Sequence, residues 1–440
     1  MSQRGSMKEE EEAMSEPTSC PFHARSLPGD GTPLKPSPRL AEWREQAPLV
    51  PLDFQDGHEG LAAVRYEAAV SVLQDPRFSM RPARMPVGPA FVADGAPEVE
   101  SAAVPLELPG VLDESGQRSE VLNLLTLDGA EHAKLRRAAT ARFSVRQARL
   151  REPWIREMVA EQIAALRDLG PVVDLWRNFA MPISARTHCR VIGIPDRQFD
   201  RFVELFVEPS TAQQKYDFIR ALIAERTDEP GEDVITDLLA NLELDAVEIE
   251  GLLRLLMGAG RDSVAYLIAT ASVALLTNPE QLSLLREDSE RIRPAVEEFM
   301  RVGAMFVTLF ARTALEDVEI EGITIPAGTS VAVSPVAANR DPAHWGADAE
   351  EFDVSRDAFG HFGFGYGIHG CIGQQLARVE IREAIAALLA GFPELQLVSA
   401  EQLEPQPFAH PVAVYEAGEV LVRLTGSHKP VHHETASTGH

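Results

Sequence analysis

The stretch Phe364-Gly365-Tyr366-Gly367-Ile368-His369-Gly370-Cys371-Ile372-Gly373 runs directly into a strongly helical segment, Gln374-Gln375-Leu376-Ala377-Arg378-Val379-Glu380. A cysteine at a helix start meets the positive end of the helix dipole and unpaired backbone N–H groups, and both favour the thiolate. Five glycines lie between Gly363 and Gly373. With no side chains there, backbone amides can approach the sulfur and a flat ligand can approach the backbone. Phe364 adds an apolar wall. A buried anionic sulfur, amide donors and space for a macrocycle are what a single-thiolate iron ligand requires.

The same residues admit two other readings. Gly365-x-Gly367-x-x-Gly370 fits a dinucleotide fingerprint, which should follow a β-strand and open a βαβ unit. The preceding Ser355-Arg356-Asp357-Ala358-Phe359-Gly360-His361 is no β-branched strand. About 70 residues follow, too few for a nucleotide domain of usual size. A glycine-rich turn holding an inert buried thiol is the other alternative, and the turn by itself does not exclude it.

A second constellation bears on the choice. Leu252 to Leu276 is apolar almost all round, which predicts a central buried helix. Its middle reads Gly258-Ala259-Gly260-Arg261-Asp262-Ser263-Val264. Glycine inside a helix costs about 1 kcal/mol against alanine, tolerable where a ligand approaches the backbone. Asp262 and Ser263 could then relay and hold protons, or simply cap a helix after a glycine-rich break.

The Cys371 run resembles the haem-ligand loop of the cytochrome P-450 superfamily, Phe-Gly-x-Gly-x-His-x-Cys-x-Gly ahead of the proximal helix. The resemblance spans about residues 36 to 425 and implies a mainly α fold with small β-sheets. That fold is a triangular helix-rich prism with haem b between the central and proximal helices. It implies Cys371 as the iron ligand, with Phe364, Gly365 and Gly373 around it and Ala259 against the haem. His132 and Arg136, one helical turn apart, match the family's His-x-x-x-Arg; with Arg312 and His369 they are the expected propionate partners. Asp262 and Ser263 take the place of the oxygen-binding acid and alcohol, with serine where threonine is usual. Serine keeps the hydroxyl but lacks the methyl that restricts its rotamer.

Glu298 and Arg301 match the family's Glu-x-x-Arg pair, which locks the loop beneath the haem. The arginine that usually completes that pair is replaced by Glu350-Glu351-Phe352, leaving Arg340 and Arg356 as substitutes. The implied activity is insertion of one atom of O2 into a lipophilic, biosynthetic small molecule, as hydroxylation or epoxidation. Oxidative coupling and non-catalytic haem binding are the alternatives. Electrons are expected from a separate ferredoxin and its reductase, docking near Lys134, Arg137, Arg378 and Arg382. The substrate pocket is expected from the loop 84–118, from Ala259, Ser263 and Tyr266, and from Ala304 to Leu309.

Composition agrees. The chain has 440 residues, 45% of them hydrophobic, and a formal charge of −26. No basic stripe exists to neutralise phosphates, which argues against nucleic acid. No window approaches about 18 apolar residues, and the acidic start Met1 to Pro17 lacks a signal-peptide pattern; a cytoplasmic protein without a membrane partner is the expectation. Three cysteines cannot supply the four thiolates of an iron–sulfur cluster. Residues 1–35 are expected to be a disordered leader, 36–425 the haem domain, and 426–440 a flexible tail.

Overall fold

The computed structural model describes residues 25–82, 84, 86, 111–112, 118–119, 124–207, 210–400, 414–415 and 417–424. Most of the 84–118 loop and the 426–440 tail therefore lie outside the described residues. Helices dominate. The central helix, Ala246–Thr277, has 32 residues and starts at a capping box in which Asp245 and Glu248 satisfy each other's backbone N–H groups. It runs unbroken through Gly258 and Gly260, so Asp262 and Ser263 are mid-helix and the capping alternative fails. Met181–Ile192, Ala212–Asp228 and the proximal helix Gln374–Gly391 pack along it, and Pro279–Glu287 and Ile292–Val302 also touch it. The proximal helix also packs along Val145–Asp168.

The sheets are small and peripheral. The largest has five strands in the order Leu49–Asp53, Glu59–Ala63, Ser330–Val333, Arg312–Ala314, Phe78–Ser79. Its one parallel pairing sets Val331 opposite Leu61. A three-stranded sheet joins Gln396–Ala400, Val420–Arg423 and Val172–Asp174. The hairpin Val318–Ile320/Ile323–Ile325 turns on Glu321 and Gly322, both at positive φ. The glycine-rich run follows a 3-10 turn, Phe362–Phe364, and not a strand, which removes the dinucleotide reading.

The folded chain begins earlier than the sequence pattern suggests. Leu27 is 1% exposed in the main core, and the Pro33 carbonyl accepts from Arg340. Proline and glycine in this stretch hide its order, because the segment is fixed by tertiary contacts and not by a repeating pattern.

The deepest polar group is Arg301, fully buried with Glu298 on helix Ile292–Val302. Its guanidinium donates to Glu298 Oε1 and Oε2 (2.8 and 2.7 Å), and to the carbonyls of Asn339 (2.7 Å), Ala349 (2.6 Å) and Glu351 (2.8 Å). All five guanidinium donors are thereby used. Asn339 continues the network: its side chain donates to the Arg301 carbonyl (3.0 Å) and accepts from the Phe362 N–H (2.8 Å). The question of the third partner resolves in favour of Arg356, whose Nε lies 3.7 Å from Glu298 Oε1. Arg340 instead caps the Val302 carbonyl (2.7 Å) and faces Glu350 (3.4 Å).

Removing one partner of such a pair leaves the other charged and buried. Arg301→Met is therefore expected to cost about 3–5 kcal/mol, seen as a large drop in urea midpoint. Arg356→Ala, at the longer distance, should shift the midpoint far less; equal losses would contradict this assignment.

Candidate active site

Cys371 stands three residues ahead of the proximal helix, with Gly373 in the N-cap position. Its backbone N–H donates to the Phe364 carbonyl (2.8 Å), closing the loop. Two glycines in the loop are dictated by space. A Cβ on Gly363 would stand 2.7 Å from the Met300 carbonyl, and one on Gly367, at φ 67°, would stand 3.0 Å from that of Leu73. Burial pushes the Cys371 thiol up, while the N–H groups of Gly373 and Gln374 and the charges of Arg136 and Arg378 pull it down. The helix amides act in the expected direction, but burial outweighs them in the free thiol. A bound cation is what completes its ionisation. The residue nonetheless keeps an exposed face. By contrast Cys189 is a core thiol, pushed to about 12 by burial.

Four cationic or ionisable side chains converge beside this loop. Arg136 donates to the Gly370 carbonyl. The rings of His132 and His369 lie 4.1 Å apart, and Arg312, in the five-stranded sheet, acts electrostatically on both. Burial pushes His369 down to about 3, with Arg312, His132 and Arg136 adding to it. Burial likewise lowers Arg312 to about 10, and lowers Arg136 and His132. The nearby carboxylate, Asp128, lies 3.8 Å from His369 and already accepts from Ser79 and Met80. His132 Nε2 is shut off from solvent with no partner. The cluster is short of negative charge, which two propionates would supply. Haem b fits these residues: a thiol for the iron, glycine backbone for the ring, and two guanidiniums without an ion-pair partner among the described residues, with two imidazoles, for the carboxylates.

In the middle of the central helix, Leu255, Gly258, Ala259, Asp262 and Ser263 form an accessible stripe at i, i+3, i+4, i+7, i+8. A Cβ on Gly258 would meet nothing within 4 Å. Asp262 is ion-paired with its neighbour Arg261 (2.5 Å), whose own side chain is buried. Ser263 Oγ donates to the Ala259 carbonyl (3.0 Å). Tyr266 does not line this stripe: it is 1% exposed, inside the core with Thr270. In the 304–309 segment Met305, Phe306 and Leu309 stay partly accessible, whereas Ala304, Val307 and Thr308 are buried.

Behind the stripe, His188 presses against Gly260, where a Cβ would collide with its ring. Burial pushes His188 down to about 4. On the thiolate side, Glu297 binds Arg378 (2.6 and 2.8 Å) and His361 (3.1 Å). Burial would raise the Glu297 carboxyl, but these partners bring it to about 2. His361 Nδ1 accepts from the Gly363 N–H, which leaves Nε2 as the donor to Glu297. Arg378 also covers the Phe364 ring at 4.5 Å. Arg378 is thus a structural brace of the cysteine loop. The other cations expected to dock a partner are paired as well: Lys134 with Glu248, Arg137 with Glu243, Arg382 with Glu152.

The cytochrome P450 family model matches residues 170–416. The chain belongs to the cytochrome P450 family. It is 33% identical over 376 residues to 6-deoxyerythronolide B hydroxylase of Saccharopolyspora erythraea, covering 81% of this chain and 88% of that relative. It is also 33% identical to mycinamicin IV hydroxylase/epoxidase of Micromonospora griseorubida, over 87% of this chain and 93% of the relative. The crystal structure of cytochrome P450 MoxA from Nonomuraea recticatena superposes with a TM-score of 0.76 at 29% identity, covering 92% and 99% of the two chains. The chain is therefore a cytochrome P450 monooxygenase with haem b as cofactor, of a family that uses O2 and redox partners. Among the described residues no helix is long and apolar enough to cross a membrane.

Two measurements follow. Arg312→Leu should lower the haem retained per chain after gel filtration, whereas exposed Arg137→Ala should not; equal retention by the two would count against the cation cluster. His188 is neutral in the fold, with a pKa of about 4 against about 6.5 unfolded. Its contribution is intact above pH ~6.5 and is lost as pH falls toward ~4, by at most on the order of 3 kcal/mol. His188→Asn should flatten the melting temperature profile across that window.

Proposed function

We propose that Cys371 would supply the thiolate that holds the haem iron of a monooxygenase that hydroxylates or epoxidises a lipophilic intermediate of secondary metabolism. The observation that carries the reading is the thiol at the end of a glycine loop beside four charge-starved basic groups. Haem b, once bound, supplies the iron on which O2 is activated and one oxygen atom is delivered to substrate. The remaining roles fall to the chain. Arg136, Arg312, His132 and His369 hold the two propionates and so fix the plane of the ring. Phe364, Gly365, Gly373 and Ala259 flank it.

Asp262 relays protons inward from solvent, since its carboxylate is half-exposed at one end of the open stripe. To accept a proton it must loosen from Arg261, so Arg261 sets when the relay runs. Ser263 presents its hydroxyl beside the substrate. Its bond to the Ala259 carbonyl restrains a side chain that lacks the threonine methyl. The relatives named as hydroxylase and hydroxylase/epoxidase support oxygen insertion over oxidative coupling. Electrons come from a separate cytoplasmic ferredoxin and reductase. With Arg378 committed to Glu297, the docking cations are Arg149 and Arg293. Both are exposed, lack an ionic partner among the described residues, and line a groove of about 630 Å³ against the proximal helix.

Cys371→Ser should abolish the red-shifted carbon monoxide band of the reduced protein; its persistence would remove Cys371 as ligand. Asp262→Asn should slow turnover by about 10²-fold with substrate binding unchanged. Ser263→Thr should raise product formed per NADPH consumed. Oxygen from labelled O2 absent from the product would favour coupling over insertion.

A further inference from the structure

Resting on the monooxygenase reading, we infer that Lys215 and Arg254 recognise a carboxylate on the substrate, which is therefore a lipophilic acid. Arg254 lies one helical turn before Gly258, at the edge of the accessible stripe, where the space beside the glycine is open. Lys215 comes from helix Ala212–Asp228, which packs on the central helix. Each cation rests on an aromatic ring: Arg254 is 5.7 Å from the centroid of Tyr216, and Lys215 is 5.6 Å from that of Phe206. Neither has an ion-pair partner among the described residues, in a chain with 67 acidic side chains. Their neighbours show how unusual this is. Arg220 holds Glu250 (2.8 and 3.1 Å), Arg226 holds Asp233 (2.6 Å) and Arg142 holds Asp237 (2.5 Å). Glu250, one turn before Arg254, is thereby already committed.

The unsatisfied atoms point the same way. Arg254 Nε is closed off from solvent with no hydrogen-bond partner, and the Tyr216 hydroxyl beside it interacts with the guanidinium alone. Burial pushes the Lys215 ammonium below its ordinary range, and the like charge of Arg254 adds to it. Guanidinium and ammonium can only donate, and the phenol can donate, so the matching group is an acceptor with several lone pairs. A carboxylate satisfies a guanidinium fork and an ammonium together. Phe206 and Phe218, whose rings meet at 6.3 Å, and Leu255 supply apolar surface for the rest of the molecule. Arg254 and Ser263 are nine residues apart on one helix, roughly 13 Å along its axis. The acid therefore anchors one end of the substrate and presents carbons well removed from it for oxidation.

The test uses the haem-loaded protein and two probes, dodecanoic acid and methyl dodecanoate, followed by calorimetry and by the Soret shift. Wild type should bind the acid at least about tenfold more tightly than the ester. Lys215→Met with Arg254→Met should bring the ratio to about one by weakening the acid more than the ester. Equal affinities in the wild type would overturn the inference without any variant, as would a preference for the acid that survives both substitutions. The carbon monoxide band is recorded on each protein. Its presence with no acid preference separates failure of this inference from failure of the monooxygenase reading.

Discussion

The buried guanidinium of Arg301 is the constraint on which the rest depends. It draws three separate carbonyls, Asn339, Ala349 and Glu351, onto one helix. Through Asn339 it reaches the Phe362 amide, where the turn into the cysteine loop begins. A cation out of water is stable only when every donor is met, so the geometry tolerates little drift. The loop is pinned from outside at its start, while its own glycines leave the backbone there free of side chains.

A second brace works from the opposite side. Glu297, next to Glu298 in sequence, grips Arg378 of the proximal helix and His361 of the loop. Adjacent carboxylates thus serve two networks, one fixing the approach to the loop and one fixing its end. Between them the sulfur is held at a defined place, while His132, Arg136, Arg312 and His369 gather beside the loop as the proposed seat of the propionates. The price is local: several groups sit at protonation states they would not choose in water, as the lowered values of His369 and Arg312 record.

Much of this was legible in the chain. The cysteine loop, the proximal helix, the central helix and the four basic residues are local patterns, and each lies where the pattern implied. What the sequence hid were pairings between distant residues. Arg378 reads as a surface cation until Glu297, 81 positions away, is placed beside it. Lys134 meets Glu248 from 114 positions away. Arg340 and Arg356 could not be ranked from a stretch that holds both, because 3.7 Å to Glu298 is a property of the folded loop. Leu27 was missed for a related reason: an irregular segment has no period, so its burial leaves no trace in its composition. Tyr266 continues the stripe's own face, eleven residues after Leu255, but there the helix is covered by the core, which no local pattern reveals.

The contact between Gly260 and His188 carries a consequence for how this sequence can vary. The imidazole occupies the volume where any larger residue at 260 would put its Cβ. The two positions, 72 apart in the chain, therefore form a single steric unit. A methyl gained on the central helix can be accommodated only by a smaller side chain at 188. A larger residue at 260 is a step the fold accepts only once 188 has shrunk, so drift at this spot proceeds in order.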